Sequence, residues 1–280
     1  MKIYYGSLAH IIYIVTALLF AFGVFLIIRK KSENTKKWVI LSIMLVNTAQ
    51  HLLKSVVYPQ YWGLGFTALS TAYNMCALLI LASPFALLLK SKILKSFIFY
   101  VGTSAGFLAL LIPYWNIGDY MFDFEVIRFF ICHLLLFTSS LLPLLTGLHK
   151  PSYKFFPLVG ACFFFSLGAI LLNDTFCVLL GIYPGVEHLS FADAMKAINP
   201  VWSFGPPDVF SWLLDLAKVF SPDVWVCDNS AGAPLPILWY LIPVYIIITL
   251  IAFPICVLVD RKNFVRDFQT FKQKLKGKVR

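Results

Sequence analysis

The sequence predicts an all-α, polytopic membrane protein of about seven transmembrane helices, with its N-terminus outside and its C-terminus in the cytoplasm. Three observations carry this. Of its 280 residues, 60% are hydrophobic and only 13% charged, roughly half the charged share of a soluble domain. Apolar stretches long enough to cross a bilayer, about 20 residues at a helical rise of 1.5 Å, fall at 7–28, 38–58, 67–89, 96–115, 126–148, 155–176 and 235–259. Basic residues also alternate from one connection to the next. One set of connections, with the C-terminus, holds eighteen Lys and Arg in the runs Arg29–Lys37, Lys90–Lys95, Lys150–Lys154 and Arg261–Arg280. The other set holds only Lys2, Lys196 and Lys218. The positive-inside rule places the basic set in the cytoplasm.

These features also exclude several classes. The first apolar stretch is too long for a signal-peptide core and ends in Arg29-Lys30-Lys31, so it is read as a retained span. The net charge of +10 sits beside the spans with no interleaved aromatic platform, so no nucleic-acid partner is expected. Six cysteines (Cys76, Cys132, Cys162, Cys177, Cys227 and Cys256) show no CxxC or Cys/His metal spacing, so neither a metal nor a cofactor is expected. Residues 1–259 read as one membrane domain and 260–280 as a basic amphipathic tail.

In chain order, the first span is bland, with His10 read as interfacial. The second, 38–58, carries Asn47, Gln50, His51, Lys54 and Tyr58 at helical spacing, hence on one face. Polar groups in hydrocarbon cost several kcal/mol on some scales, so that face must turn toward a bundle interior or a wet cavity. The third, 67–89, aligns Thr67, Ser70, Thr71 and Asn74 on a stripe that reads as close helix packing. Cys76, off that stripe, has the ordinary reading of a small hydrophobe, and Pro84 should kink the inner half. The fourth carries Gly102 and Gly106 as a GxxxG packing pair.

In the fifth, Arg128 lies within a turn of the outer edge, where it can snorkel or meet a lipid phosphate. His133 lies too deep to reach water, so it is a satisfied interhelical hydrogen bond or a proton-transfer group. The sixth ends in Asn173 and Asp174, a carboxylate at membrane depth that could pair with Arg128 or Lys54 or cap a helix break. The long outer loop 184–234 contains an amphipathic surface segment near 206–221. Cys227 there and Cys177 both face the oxidising side and are predicted to form a disulfide. The tail spaces Phe264, Phe268, Phe271 and Leu275 at helical intervals among basic residues, a pattern suited to anionic inner-leaflet lipid.

By depth, Asn47, His51, Lys54, Asn74, Cys76, Arg128, His133, Asn173 and Asp174 all fall in the outer half, predicting a polar cavity there. Phe66–Thr146 resembles the YwaF-like integral membrane proteins, relatives of eukaryotic transmembrane protein 164, an acyltransferase of ether phospholipids. The resemblance lies in Cys76 within TAYNMCALLILASP, in Gly102-Thr103 through Ala109-Leu110-Leu111-Ile112-Pro113, and in Arg128-Phe129-Phe130 with His133. The chain departs from the family in having Ala72 and Asn74 where relatives tend to have proline and histidine. The resemblance implies a lipid enzyme, acyltransferase or hydrolase, with Cys76 as nucleophile and His133 as its base. Asn47, Asn74 or Asn173 would then stabilise the oxyanion, and Gln50, His51, Lys54, Arg128 and Asp174 would shape the site. The alternatives from the residues alone are a non-catalytic binder or transporter of a small solute or lipid, and a scaffold whose polar groups lock helices together.

Overall fold

The structure, a computed structural model, describes residues 1–54, 66–199 and 253–278, with Ser203, Val219, 226–228, 234–236, Ile246 and Leu250. Its regular structure among these residues is helical except for a short antiparallel pair, β1 (Val226–Asp228) and β2 (Pro234–Pro236), and one isolated bridge between Lys2 and Tyr120. Among the described residues, four helices are long and apolar enough to cross a membrane: α1 (Leu8–Ile28), α4 (Lys92–Leu111), α5 (Phe124–Leu145) and α6 (Tyr153–Leu179). Between them come α2 (Glu33–Leu52) and the shorter apolar α3 (Met75–Leu88). A short α7 (Phe191–Ile198) follows α6, and α8 (Phe253–Val259) and α9 (Arg261–Lys278) end the chain. The expected surface helix at 206–221 and most of the expected last span lie outside the described residues.

Helix α5 is the hub. It packs against α1, α2, α3 and α4, and its buried face runs from Val126 and Phe130 through Leu136 to Leu142. Close approach of α4 depends on the GxxxG pair. A Cβ on Gly106 would lie 2.7 Å from the Phe137 amide nitrogen and 3.1 Å from the His133 carbonyl oxygen, and one on Gly102 would lie 2.4 Å from Ser140 Oγ. Only a residue without a side chain permits that contact. Helix α4 also contains a π turn at Ile98–Gly102, a register irregularity that displaces the backbone where it meets α5.

Three sequence expectations need correction. The polar residues 67–74 are not part of a helix. A 3-10 turn at Ala68–Ser70 is followed by extended residues, and α3 begins only at Met75, where Asn74 Oδ1 accepts the Ala77 amide at 2.8 Å. Asn, Ser and Thr serve helix stripes and helix caps equally well, so the period alone misled. Second, α2 starts at Glu33, earlier than Trp38, because Ser32 caps it and the solvated first turn needs no apolar residues. Third, His10 is buried rather than interfacial; its Nε2 meets the Leu110 carbonyl at 2.8 Å and its Nδ1 accepts the Gly6 amide at 3.2 Å.

The two ends of the bundle are each tied together. At one, the N-terminal residues pair with the α4–α5 connection, the Ile3 amide donating to Asp119 and the Gly118 amide to Ile3, both at 2.8 Å. At the other, α9 docks on the α5–α6 connection. Ser152 Oγ donates to Asp260 at 2.7 Å, Tyr153 OH donates to Asp267 at 2.8 Å, and Lys154 pairs with Asp267 at 2.5 Å.

Candidate functional site

The site grows out of one mismatch. Residues 66–74 form no α-helix, and beyond the short 3-10 turn at Ala68–Ser70 the carbonyls of Leu69 and Thr71 have no backbone donor among the described residues, yet buried backbone carbonyls need partners. The polar face of α2 supplies them. His51 Nε2 donates to the Thr71 carbonyl at 2.8 Å, and Lys54 Nζ donates to the Leu69 carbonyl at 2.9 Å and the Tyr73 hydroxyl at 3.2 Å. The Tyr73 ring fills the space between these side chains. It stacks on His51 with centroids 6.2 Å apart and lies under the Lys54 ammonium, 4.5 Å from it. One turn deeper, Asn47 Nδ2 donates to the Cys132 carbonyl of α5 at 3.0 Å, and Gln50 Nε2 to Asn47 Oδ1 at 2.5 Å. Thr48 completes the seam, donating at 3.0 Å to the Ile80 carbonyl, which Pro84 leaves without its helical amide donor.

From the other side, α6 grips the same segment. Asn173 Nδ2 donates to Thr71 Oγ1 at 2.9 Å and to Asp174 Oδ1 at 3.1 Å, and Thr71 Oγ1 donates to the Ala68 carbonyl at 2.6 Å. Cys177 lies beside them as a buried free thiol, 3.8 Å from Thr71 Oγ1, so the expected disulfide with Cys227 is not formed. Helix α6 turns Cys177 inward, toward Thr71. Asp174 is fully buried, but it pairs with neither Arg128 nor Lys54. Its Oδ1 takes Asn173, its Oδ2 has no partner among the described residues, and Arg128 lies 3.8 Å from Glu125 instead.

Beyond this network, Cys76 is the second residue of α3, in the first turn that Asn74 caps. The helical-wheel separation of Cys76 from Asn74 no longer applies, because the two do not share a helix. A thiol in a first turn sits beside amides with no intrahelical acceptor and at the positive end of the helix dipole. It is half-buried, packed against the apolar cluster of Cys132, Leu79 and Leu136. His133 projects from α5, the residue after Cys132. Its Nδ1 donates to the Phe129 carbonyl at 2.7 Å and its ring lies 4.3 Å from that of Phe129. That bond fixes the tautomer, leaving Nε2 as the basic nitrogen. No hydrogen bond joins Cys76 to His133 or to His51.

The structure therefore brings His51, Lys54 and Asn173 together around one segment, sets Asn47 and Gln50 one turn deeper against α5, places Asn74 and Cys76 at the segment's exit, and carries His133 on α5. Tyr73 and Thr71 are central to the network, though the sequence did not single out Tyr73. An aromatic in an apolar run reads as core, and its one signal was its place beside Asn74. Among the described residues, no group of three His, Cys, Asp or Glu side chains could hold a metal ion.

A family model, that of the TMEM164 family, matches residues 4–181. It takes in all ten candidate site residues and both flanks of the stretch on which the resemblance rests. No curated protein and no solved structure matches the chain.

Proposed function

The chain belongs to the TMEM164 family, and on that premise we propose that it is a membrane-embedded acyltransferase acting on phospholipids, with Cys76 as the nucleophile. The observation that carries this is the place of Cys76 in the capped first turn of a helix that begins behind a buried non-helical segment. Bare thiolate is costly among apolar neighbours, so proton removal and attack belong in one step. His133 Nε2 takes the thiol proton as the sulfur attacks an ester carbonyl, and the collapsing intermediate expels a lysolipid whose oxygen takes that proton back. The acyl chain, now a thioester, passes to the hydroxyl of a second lysolipid, and the thiol is restored. His133 reaches the sulfur when substrate is bound, since catalytic hydrogen bonds often tighten only in the substrate complex.

Asn47 and Asn173 already donate to protein oxygens, so the oxyanion falls to Asn74 and to the first-turn amides of Met75 and Cys76. In this reading Gln50, His51, Lys54 and Asp174 line the outer-half cavity, and Arg128 holds the substrate phosphate. The wider arrangement is seven spans in the cell membrane with the C-terminus cytoplasmic and α9 lying on anionic lipid of that leaflet.

A second reading, a scaffold whose polar groups lock helices together, is favoured by one observation: Asn47, His51 and Lys54 spend their donors on backbone carbonyls. One experiment separates the two. Purified protein in nanodiscs is incubated with a phospholipid carrying a labelled acyl chain, and hydroxylamine-sensitive label on the protein is measured. The enzyme reading expects label that Cys76→Ala abolishes, His133→Ala slows by about 10²-fold or more, and Cys132→Ala leaves in place. Label surviving in Cys76→Ala, or none in the native chain, overturns it.

A further inference from the structure

Outside the site described, the basic end of the bundle combines three features that its role in topology does not require. First, lysines from separate elements converge. Lys36 of α2 reaches across to donate to the Thr146 carbonyl at 3.1 Å, just past the end of α5. Lys37 of α2 and Lys95 of α4 lie close enough to repel one another, and Lys92 and Lys95 both act on His149. Lys36, Lys37 and Lys95 are each half-buried, whereas topology lysines need only be solvated near the membrane surface.

Second, no carboxylate compensates them. Among the described residues no ion pair involves any of the four lysines, and the acidic residues of the docked tail are engaged elsewhere, Asp260 by Ser152 and Asn263 and Asp267 by Lys154 and Tyr153. His149 adds no charge. It is buried and shares a hydrogen bond of 3.0 Å with Ser96, and burial, then the charges of Lys95 and Lys92, pushes it down to about 4.

Third, Lys95 lines a small cavity between α2, α3, α4 and α5, together with Met44, Ser83, Leu87, Ile98 and Ser140. The Ser140 hydroxyl on that cavity is fully buried and has no hydrogen-bond partner among the described residues. Half-buried like charges at the edge of a low-dielectric slab repel strongly unless an anion sits among them, and an orphaned buried hydroxyl calls for a partner.

We propose that this end of the bundle is a binding site for a phosphate group, clasped by Lys36, Lys37, Lys92 and Lys95, with Lys95 standing between the phosphate and the small cavity that Ser140 lines. The shared chemistry is that of a phosphate oxyanion, whether of an anionic phospholipid head group in the adjoining leaflet or of soluble phosphate.

The test uses the full chain purified in detergent. Thermal unfolding and native mass spectrometry are recorded with added phosphatidylglycerol, with phosphatidylcholine, and with inorganic phosphate at matched ionic strength. Two double variants are compared with the native chain: Lys37→Gln/Lys95→Gln within the cluster, and Lys30→Gln/Lys150→Gln on exposed positions of the same end. A retained lipid with a rise in unfolding temperature for phosphatidylglycerol, not phosphatidylcholine, establishes the head-group source. A rise with inorganic phosphate and no retained lipid establishes the soluble one. In either case the cluster variant should bind at least tenfold more weakly and the exposed variant unchanged. Without any anion the cluster variant should unfold at a higher temperature than the native chain, because its repulsion is relieved, which also shows that it folds. If neither anion shifts unfolding, or if the exposed variant loses as much affinity as the cluster variant, the site does not exist.

Discussion

The two ends of this bundle treat polar groups in opposite ways. Around the 66–74 segment, nearly every polar donor on α2 finds a fixed acceptor: His51 and Lys54 on carbonyls of that segment, Asn47 on α5. At the basic end, lysines of α2 and α4 face one another, and none of them is in an ion pair with a carboxylate among the described residues. The network around residues 66–74 is therefore closed and holds a backbone in place, while the lysines of the basic end are left for the phosphate proposed to sit among them. Polarity inside a membrane protein does not by itself mark function; what matters is whether the polar group has already found its partner.

Substitutions that remove donors should separate the ends most sharply. The Thr71 carbonyl lies outside any helix and is met by His51 Nε2. His51→Leu leaves that carbonyl orphaned and removes the stacking on Tyr73, a loss of about 2–3 kcal/mol, seen as the largest drop in stability on unfolding in mixed micelles. Lys95→Met, by contrast, should leave stability in detergent unchanged or slightly raised, since it removes a half-buried charge with no carboxylate partner. Equal destabilisation by the two would break the comparison.

Asn47→Leu tests the same network more gently. Its acceptor, the Cys132 carbonyl, belongs to the middle of α5 and can also take a helical amide, so the loss should be about 1 kcal/mol. The expected order, His51 above Asn47, reverses if burial rather than orphaned backbone sets the cost. Stability curves for the two variants under one set of conditions decide it.

Much of this was legible in the sequence, and its failures have a common cause. The polar face of α2 could be read because helical period and membrane cost point the same way, and Gly102 and Gly106 because small residues four apart serve close packing. What could not be read was where the α3 helix begins. Thr67, Ser70, Thr71 and Asn74 fit a helical stripe as well as they fit a turn and a cap, and the choice is made by His51, Lys54 and Asn173 from other helices. Tertiary partners overrode local pattern. The pairing of Ser96 with His149 was invisible for a similar reason, since it joins residues far apart in the chain.

That pairing yields the smallest of the expected effects, and one whose sign is fixed. His149 titrates near 4 in the folded chain, well below the ordinary histidine value of 6.5, because burial and the charges of Lys95 and Lys92 oppose its protonation. Above the ordinary value both folded and unfolded states hold it neutral, so its contribution to stability is complete. As pH falls through that value toward 4, the unfolded chain takes a proton that the folded chain refuses, and stability declines; below about 4 both are protonated and no further loss accrues. Between roughly pH 7.5 and 5.5 the loss should be about 1 kcal/mol, with allowance for water at this end of the bundle. His149→Gln can keep a hydrogen bond to Ser96 without titrating, so its stability should fall less over the same interval. Bound phosphate would oppose the trend by screening the lysines, so the difference between the two chains should shrink when phosphatidylglycerol is added. Identical pH profiles for the native chain and His149→Gln would show that His149 is not held neutral by its burial and the lysines beside it.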